Sequence, residues 1–193
     1  MTCIVGLIDK NKTYIGCDSL GSNGYSKSLR KDKKIFKIKD TSNGIIGFTS
    51  SYRMGQLLMY SSGLIDSRDE PNIDHKYLVT NTIPKIIEIY DKGGFTRLKD
   101  NIKSGGEFLF AYKDKLWKIE SDFQVGEPFK NYDACGSGEE FALGSLITTE
   151  NLIDDPVVRI HLALQSASEF SVGVAPPYYI MNTENDEIME YKK

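Results

Sequence analysis

Apolar and polar residues change their spacing several times along this chain, and each change marks an element. "TCIVGLI" and "TYIGCDS" are short runs rich in β-branched and aromatic residues on either side of "DKNK", which predicts a hairpin. "GSNGYSKSLRKDKK" is polar and rich in glycine and serine, and reads as a loop. "KIFKIKD" alternates, and "NGIIGFTS" follows an Asn-Gly turn signal, so a second strand pair is expected. The spacing then becomes helical: Met54, Leu57, Leu58 and Ser61 share a face, with Ser50 or Ser51 as cap. A second helix is expected through "DHKYLVTNTIPKIIEIYDKGG", kinked or started late by Pro84. "GEFLFAYKDKLWKIESDF" gives two more strands. "GSGEEFALGSLITTE" and "DDPVVRIHLALQSASEFS" give two helices, the latter started by Asp155 before Pro156. "PPYYIMNT" and "DEIMEY" close the chain as strands. Strands in pairs and helices in pairs predict an α+β fold with two antiparallel sheets face to face between two helical layers.

Length and composition narrow the picture. The 193 residues fit one domain, 1–193, without repeat or linker, large enough for a real core. A formal charge of −3 argues against a nucleic-acid partner. No apolar run approaches a membrane span, and "MTCIVGLI" followed by "DKNK" does not read as a secretory signal. Cys3, Cys17 and Cys135 are odd in number and include no CxxC pair, which fits reduced, buried thiols and not a metal site. A cytoplasmic protein is expected.

Candidate chemistry is sparse. His75 stands at a helix start and His161 between Ile160 and Leu162; with no GxSxG nearby, both read as structural. No phosphate-binding glycine motif is present, and the acidic stretch "IDSRDEPNIDHK" lacks EF-hand spacing. One constellation remains. A hydroxyl residue at the start of a mature chain can use its own α-amine as base, and that amine titrates at about 7.7–8.0. A nearby cation would favour the deprotonated hydroxyl, and a carboxylate would hold the cation. Thr2, Asp18 and Lys34 supply these three types at successive separations of 16 residues.

In order, "TCIVGL", "IGCDS", "KKIF", "GFTSS" and "CGSGEEFAL" resemble the proteasome β-subunits and HslV peptidases of the N-terminal-nucleophile (Ntn) hydrolases, above all the short HslV-like chains of bacteria and phages. The resemblance covers residues 2–60 and 130–182 and implies the four-layer αββα sandwich of that superfamily. It casts Thr2 as nucleophile and, through its amine, base. Asp18 and Lys34 orient and polarise it, Ser137 bonds near the amine, and the backbone N–H of Ser50 serves the oxyanion. Gly21, Phe48 and Ser51 would contact substrate. Glu169 and Ser171 are the nearest matches to the family's later acid and its neighbour. Where the family has Gly-Gly, this chain has Ser50-Ser51.

The activity implied is threonine-type peptide hydrolysis, with no metal or organic cofactor. Met1 must be removed, because while it remains it blocks the amine of Thr2. The implied partners are a peptide or unfolded protein substrate, further copies of the chain in a closed ring of at least six, and an unfolding ATPase. The stripe Met54, Leu57 and Met59 is expected near a subunit contact. Two other readings stay open on the same fold: a non-catalytic scaffold or assembly protein, and a small-molecule amidase.

Overall fold

The computed structural model describes residues 1–23 and 25–192. Two five-stranded antiparallel sheets dominate it. The first contains β1 (Ile4–Asp9), β2 (Lys12–Cys17), β12 (Tyr132–Cys135), β13 (Tyr178–Asn182) and β14 (Met189–Tyr191), in the order β12-β1-β2-β13-β14. The second contains β5 (Ile35–Lys37), β6 (Gly44–Phe48), β9 (Phe108–Tyr112), β10 (Lys115–Ile119) and β11 (Val125–Gly126), in the order β11-β10-β9-β6-β5.

Period-two alternation explains how these sheets bury both faces. Ile4 and Ile15 from one sheet meet Ile45, Leu109 and Leu116 from the other. The neighbours of these residues point outward. Val5 and Leu7 pack against α4 (Glu139–Thr149) and α5 (Pro156–Phe170) through Leu146, Ile160 and Leu164. Ile46 and Phe110 pack against α1 (Tyr52–Tyr60) and α3 (Ile83–Lys92) through Met54, Leu58, Ile86 and Tyr90. Each helix thus spends its apolar stripe on one outer sheet face.

Several expectations are corrected. "GSNGYSKSLRKDKK" is not simply a loop: β3 (Leu20–Asn23) pairs with β4 (Ser26–Leu29), from Leu20↔Leu29 to Asn23↔Ser26. Every side chain of β4 is exposed, so backbone hydrogen bonds hold the ribbon and no apolar alternation marks it. Gly24, within that stretch, lies outside the described residues. A second exposed ribbon, β7 (Arg97–Lys99) with β8 (Ile102–Ser104), escaped prediction for the same reason. β12 escaped it although buried, because it is short and Asp133 breaks its apolar run. The expected second helix is three pieces: α2 (His75–Tyr77), a π-helical turn at Leu78–Thr82, and α3 with Pro84 in its first turn, where the missing N–H costs nothing. Asp155 caps α5 as expected, accepting from the N–H groups of Val157 and Val158. The stripe on α1 faces inward: Met54 is fully buried, and Leu57 and Met59 pack on the same core. It is therefore not free for a subunit contact, and the exposed apolar residue on α1 is Tyr60.

Candidate active site

Three strand ends bring the predicted residues together. Thr2 directly precedes β1, the strand between β2 and β12. The register Ile4↔Cys17 puts Asp18 on one side of Thr2, and Ile4↔Cys135 puts Ser137 on the other. Lys34 arrives from the second sheet, immediately before β5, with its carbonyl accepting from the N–H of Phe48 at 2.9 Å.

The Lys34 ammonium donates to Asp18 Oδ1 at 2.7 Å and to the Leu20 carbonyl at 2.8 Å. Both side chains are out of solvent, at 1% and 0% exposure. Asp18 is saturated. Oδ1 also accepts from the N–H of Cys3 at 3.0 Å, and Oδ2 from Leu20 at 2.9 Å and Ala175 at 3.4 Å. Four donors on one carboxylate fill its acceptor capacity and fix its orientation. Two of the lysine's three donors are taken among the described residues, and Lys34 lines the cleft that Thr2 also lines.

On the other side, the backbone nitrogen of Thr2 donates to Ser137 Oγ at 3.1 Å, and the N–H of Gly138 donates to the Thr2 carbonyl at 3.2 Å. Gly136 makes this approach possible. Its φ is +98°, and a Cβ there would lie 2.4 Å from the Thr2 carbonyl oxygen. Ser171 Oγ stands 3.5 Å from Ser137 Oγ, so Ser171 joins the cluster. Glu169 does not. It is exposed on the last turn of α5, lining a separate groove with Pro176 and Tyr178. Met1 precedes Thr2 in the chain, so the nitrogen of Thr2 is an amide, and the Thr2 hydroxyl donates to the Met1 carbonyl.

Gly21, Phe48, Ser50 and Ser51 line the same cleft, whose volume is about 50 Å³. Ser51 caps α1, accepting from the N–H of Arg53 at 3.2 Å. Ser50 sits in left-handed backbone at φ +63°, a region that favours glycine. Its hydroxyl accepts from the N–H of Glu107 at 3.1 Å and ties the strained residue to β9's approach. Its own N–H donates to Thr49 Oγ1 at 2.5 Å. Thr49, Ser22 and Tyr52 also line the cleft, and sequence reasoning missed them. Only the "GSG" before α4 hinted at Gly136.

The thiols offer no competing nucleophile. Burial pushes Cys17 up to about 12 and raises Cys3 and Cys135 as well, so all three stay protonated near neutrality. His161 stacks on Tyr191 at 4.7 Å, and His75 Nε2 lies 3.0 Å from the Val125 carbonyl; neither is placed in the Thr2 cleft. Among the described residues, no three His, Cys, Asp or Glu side chains converge to hold a metal ion, and no helix is long and apolar enough to cross a membrane.

No family model and no curated protein matches the chain. Solved structures do match. Thiobacillus denitrificans BPH in complex with epoxomicin aligns with a TM-score of 0.73 at 17% identity, covering 96% of this chain and 100% of that one. Thiobacillus denitrificans BPH alone gives 0.73 at 17%, covering 93% and 96%. Eukaryotic HslV from Trypanosoma brucei gives 0.69 at 15%, covering 93% and 98%. Identity this low speaks for the fold, and the alignment runs nearly end to end in both partners. The chain therefore has the HslV-like fold that its sequence resembles.

Proposed function

We propose that the chain is a threonine-type peptidase whose nucleophile is Thr2, exposed by removal of Met1, within a four-layer αββα sandwich. One observation carries the reading: Lys34, buried and paired with Asp18, lines the cleft that Thr2 lines. A buried ion pair is no economical stabiliser, since its desolvation offsets much of its attraction. Placed beside a hydroxyl, its cation favours the alkoxide.

The steps follow from the atoms present. With Met1 gone, the free amine of Thr2 takes the hydroxyl proton while Oγ1 attacks the substrate carbonyl carbon. The tetrahedral oxyanion is met by the N–H of Ser50, once Thr49 Oγ1 turns away from it. The C–N bond breaks as the leaving amine takes the proton from the Thr2 amine, leaving an ester on Oγ1. Water, deprotonated by the same amine, hydrolyses that ester and regenerates Thr2. Ser137, already bonded to the Thr2 nitrogen, holds the amine in register. Glu169 stands outside this set, and Ser171 acts through Ser137.

The test combines intact mass, peptide cleavage and exposure to epoxomicin, the compound in the BPH complex. Loss of Met1, cleavage and an adduct on Thr2 are expected. Retained Met1 with no adduct and no cleavage would leave the non-catalytic scaffold. An adduct with turnover of small amides only would favour the amidase. We also propose a closed homo-oligomeric ring, with an ATPase that feeds it unfolded chains, in a cytoplasmic setting. Light scattering behind a sizing column tests the ring: a clean mass near 21.7 kDa at micromolar concentration rules it out.

A further inference from the structure

The cleft at Thr2 does not end at Ser50. It shares Gly21, Ser22 and Tyr52 with a second groove of about 210 Å³, whose far wall carries Lys27 and Arg30. The shared floor is β3. Among the described residues its strand partner is β4 in a two-stranded sheet. The Leu20 N–H donates to Asp18 and the Leu20 carbonyl accepts from Lys34, and the edge beyond Leu20 is left for an extended peptide. A peptide lying along that edge with its scissile carbonyl at Thr2 would carry alternate side chains into the second groove.

Arg30 is unusually well held for a surface residue. Its stem crosses Gly21, where a Cβ would lie 3.0 Å from Arg30 Cδ. Its guanidinium lies over the Tyr52 ring at 3.9 Å. Nε and Nη2 donate to the two oxygens of Asp32 at 2.8 and 2.6 Å. That leaves Nη1 uncommitted among the described residues, on a fork whose orientation is already fixed. With Lys27 on the same wall and Asp32 as the one acid bonded to Arg30 among the described residues, the groove carries a surplus of positive charge.

Resting on the peptidase reading above, we propose that Arg30 is a specificity residue that selects an acidic side chain on the acyl side of the scissile bond. Preorganisation matters here. A planar fork held by ring and carboxylate loses little freedom on taking a second carboxylate, and charge-assisted bonds are the stronger kind. Asp32 works against this selectivity by sharing the same guanidinium.

The experiment uses matched fluorogenic peptides with Glu, Gln or Lys at each of the three positions before the scissile bond. At one position the Glu peptide should exceed the Gln peptide by about tenfold in kcat/KM, the size expected for a charge-assisted hydrogen bond. That ratio should shrink as salt is raised. Arg30→Gln should bring the ratio close to one, Arg30→Glu should favour Lys over Glu, and Asp32→Asn should widen the Glu preference. Equal rates for Glu and Gln at all three positions in the unaltered chain, or a ratio that survives Arg30→Gln, would overturn the inference while leaving the peptidase reading intact. Absence of any cleavage or Thr2 adduct would overturn both.

Discussion

Two lysine–carboxylate pairs in this molecule have the same length. Lys34–Asp18 and Lys12–Glu184 are both closed at 2.7 Å. The first is sealed at 1% and 0% exposure; the second lies open at 31% and 66%, at the rim of a groove formed by the turns at the other end of β1 and β2. That groove is about 580 Å³, against about 50 Å³ at Thr2. Distance cannot separate the two, and cavity size favours the end away from Thr2. What separates the two is what else each carboxylate does. Asp18 takes three backbone N–H groups besides the lysine and so welds β1, β3 and the approach to β13. Glu184 takes one side chain, and water can replace it.

The largest expected effect would break the comparison at its chemical end. Thr2→Ala should abolish peptide hydrolysis, because no ester can form, while the melting temperature barely moves. Thr2 is buried, but among the described residues its hydroxyl donates to the carbonyl of Met1 alone. Full activity in this variant would show that the sealed pair serves structure alone.

Lys34→Ala should lose both activity and stability. Its removal strands a saturated carboxylate in the interior, at a cost of about 3–5 kcal/mol. Rate should fall at least about a hundredfold, the scale of lost electrostatic stabilisation. Lys34→Arg should not restore the rate, since a planar fork cannot occupy the point between Asp18 and the Leu20 carbonyl. Normal turnover by the arginine variant would demote Lys34 to a strut. Gly136→Ala comes next. A Cβ 2.4 Å from the Thr2 carbonyl must displace Thr2, and φ +98° adds strain of about 1–3 kcal/mol. Urea unfolding and turnover should both report it; a neutral result would mean that Thr2 tolerates repositioning.

Much of this was legible in the sequence, and the part that was not has a common cause. Buried strands announce themselves by apolar runs, so β1, β2, β6 and β9 were found. Thr2, Asp18, Lys34 and Ser137 stood in a resembling order; the register of β1 with β2 and β12 joins Thr2, Asp18 and Ser137, and Lys34 reaches Asp18 from the second sheet. Exposed ribbons such as β3–β4 bury no side chain on β4 and leave no such trace. Contacts by backbone groups are equally silent. Nothing in the residue type of Ala175 announces that its N–H reaches Asp18 across 157 positions, nor does Ser50 announce a positive φ. Arg30 lay inside a stretch read as a polar loop, and its stacking on Tyr52 depends on that unforeseen ribbon.

Ser137→Ala should be milder. It removes one neutral acceptor of the Thr2 nitrogen, worth about 0.5–1.5 kcal/mol. A lower rate with retained epoxomicin labelling would place Ser137 as a positioning residue, whereas an unchanged rate would leave Gly138 sufficient to hold Thr2.

The smallest effect belongs to the open pair, and it needs a local probe. The hydrogen bond from Lys12 lowers the Glu184 carboxyl and, in return, raises the Lys12 amine. A lowered carboxylate contributes stability above the ordinary carboxylate range, and loses it as pH falls through the depressed value. A raised amine contributes below the ordinary lysine range, and loses it as pH rises through the elevated value. Near neutrality, then, the pair is fully formed, yet solvent screening leaves it little weight. Lys12→Met keeps an unbranched apolar side chain and removes the charge, which lies 5.7 Å from the centroid of the Tyr14 ring. Thermal unfolding at pH 7 should be almost unaltered, while an NMR titration should show Glu184 moving up to the usual carboxylate range. If Lys12→Met instead unfolded the protein as Lys34→Ala is expected to, pair distance and not burial would govern the two ends, and the contrast between them would fail.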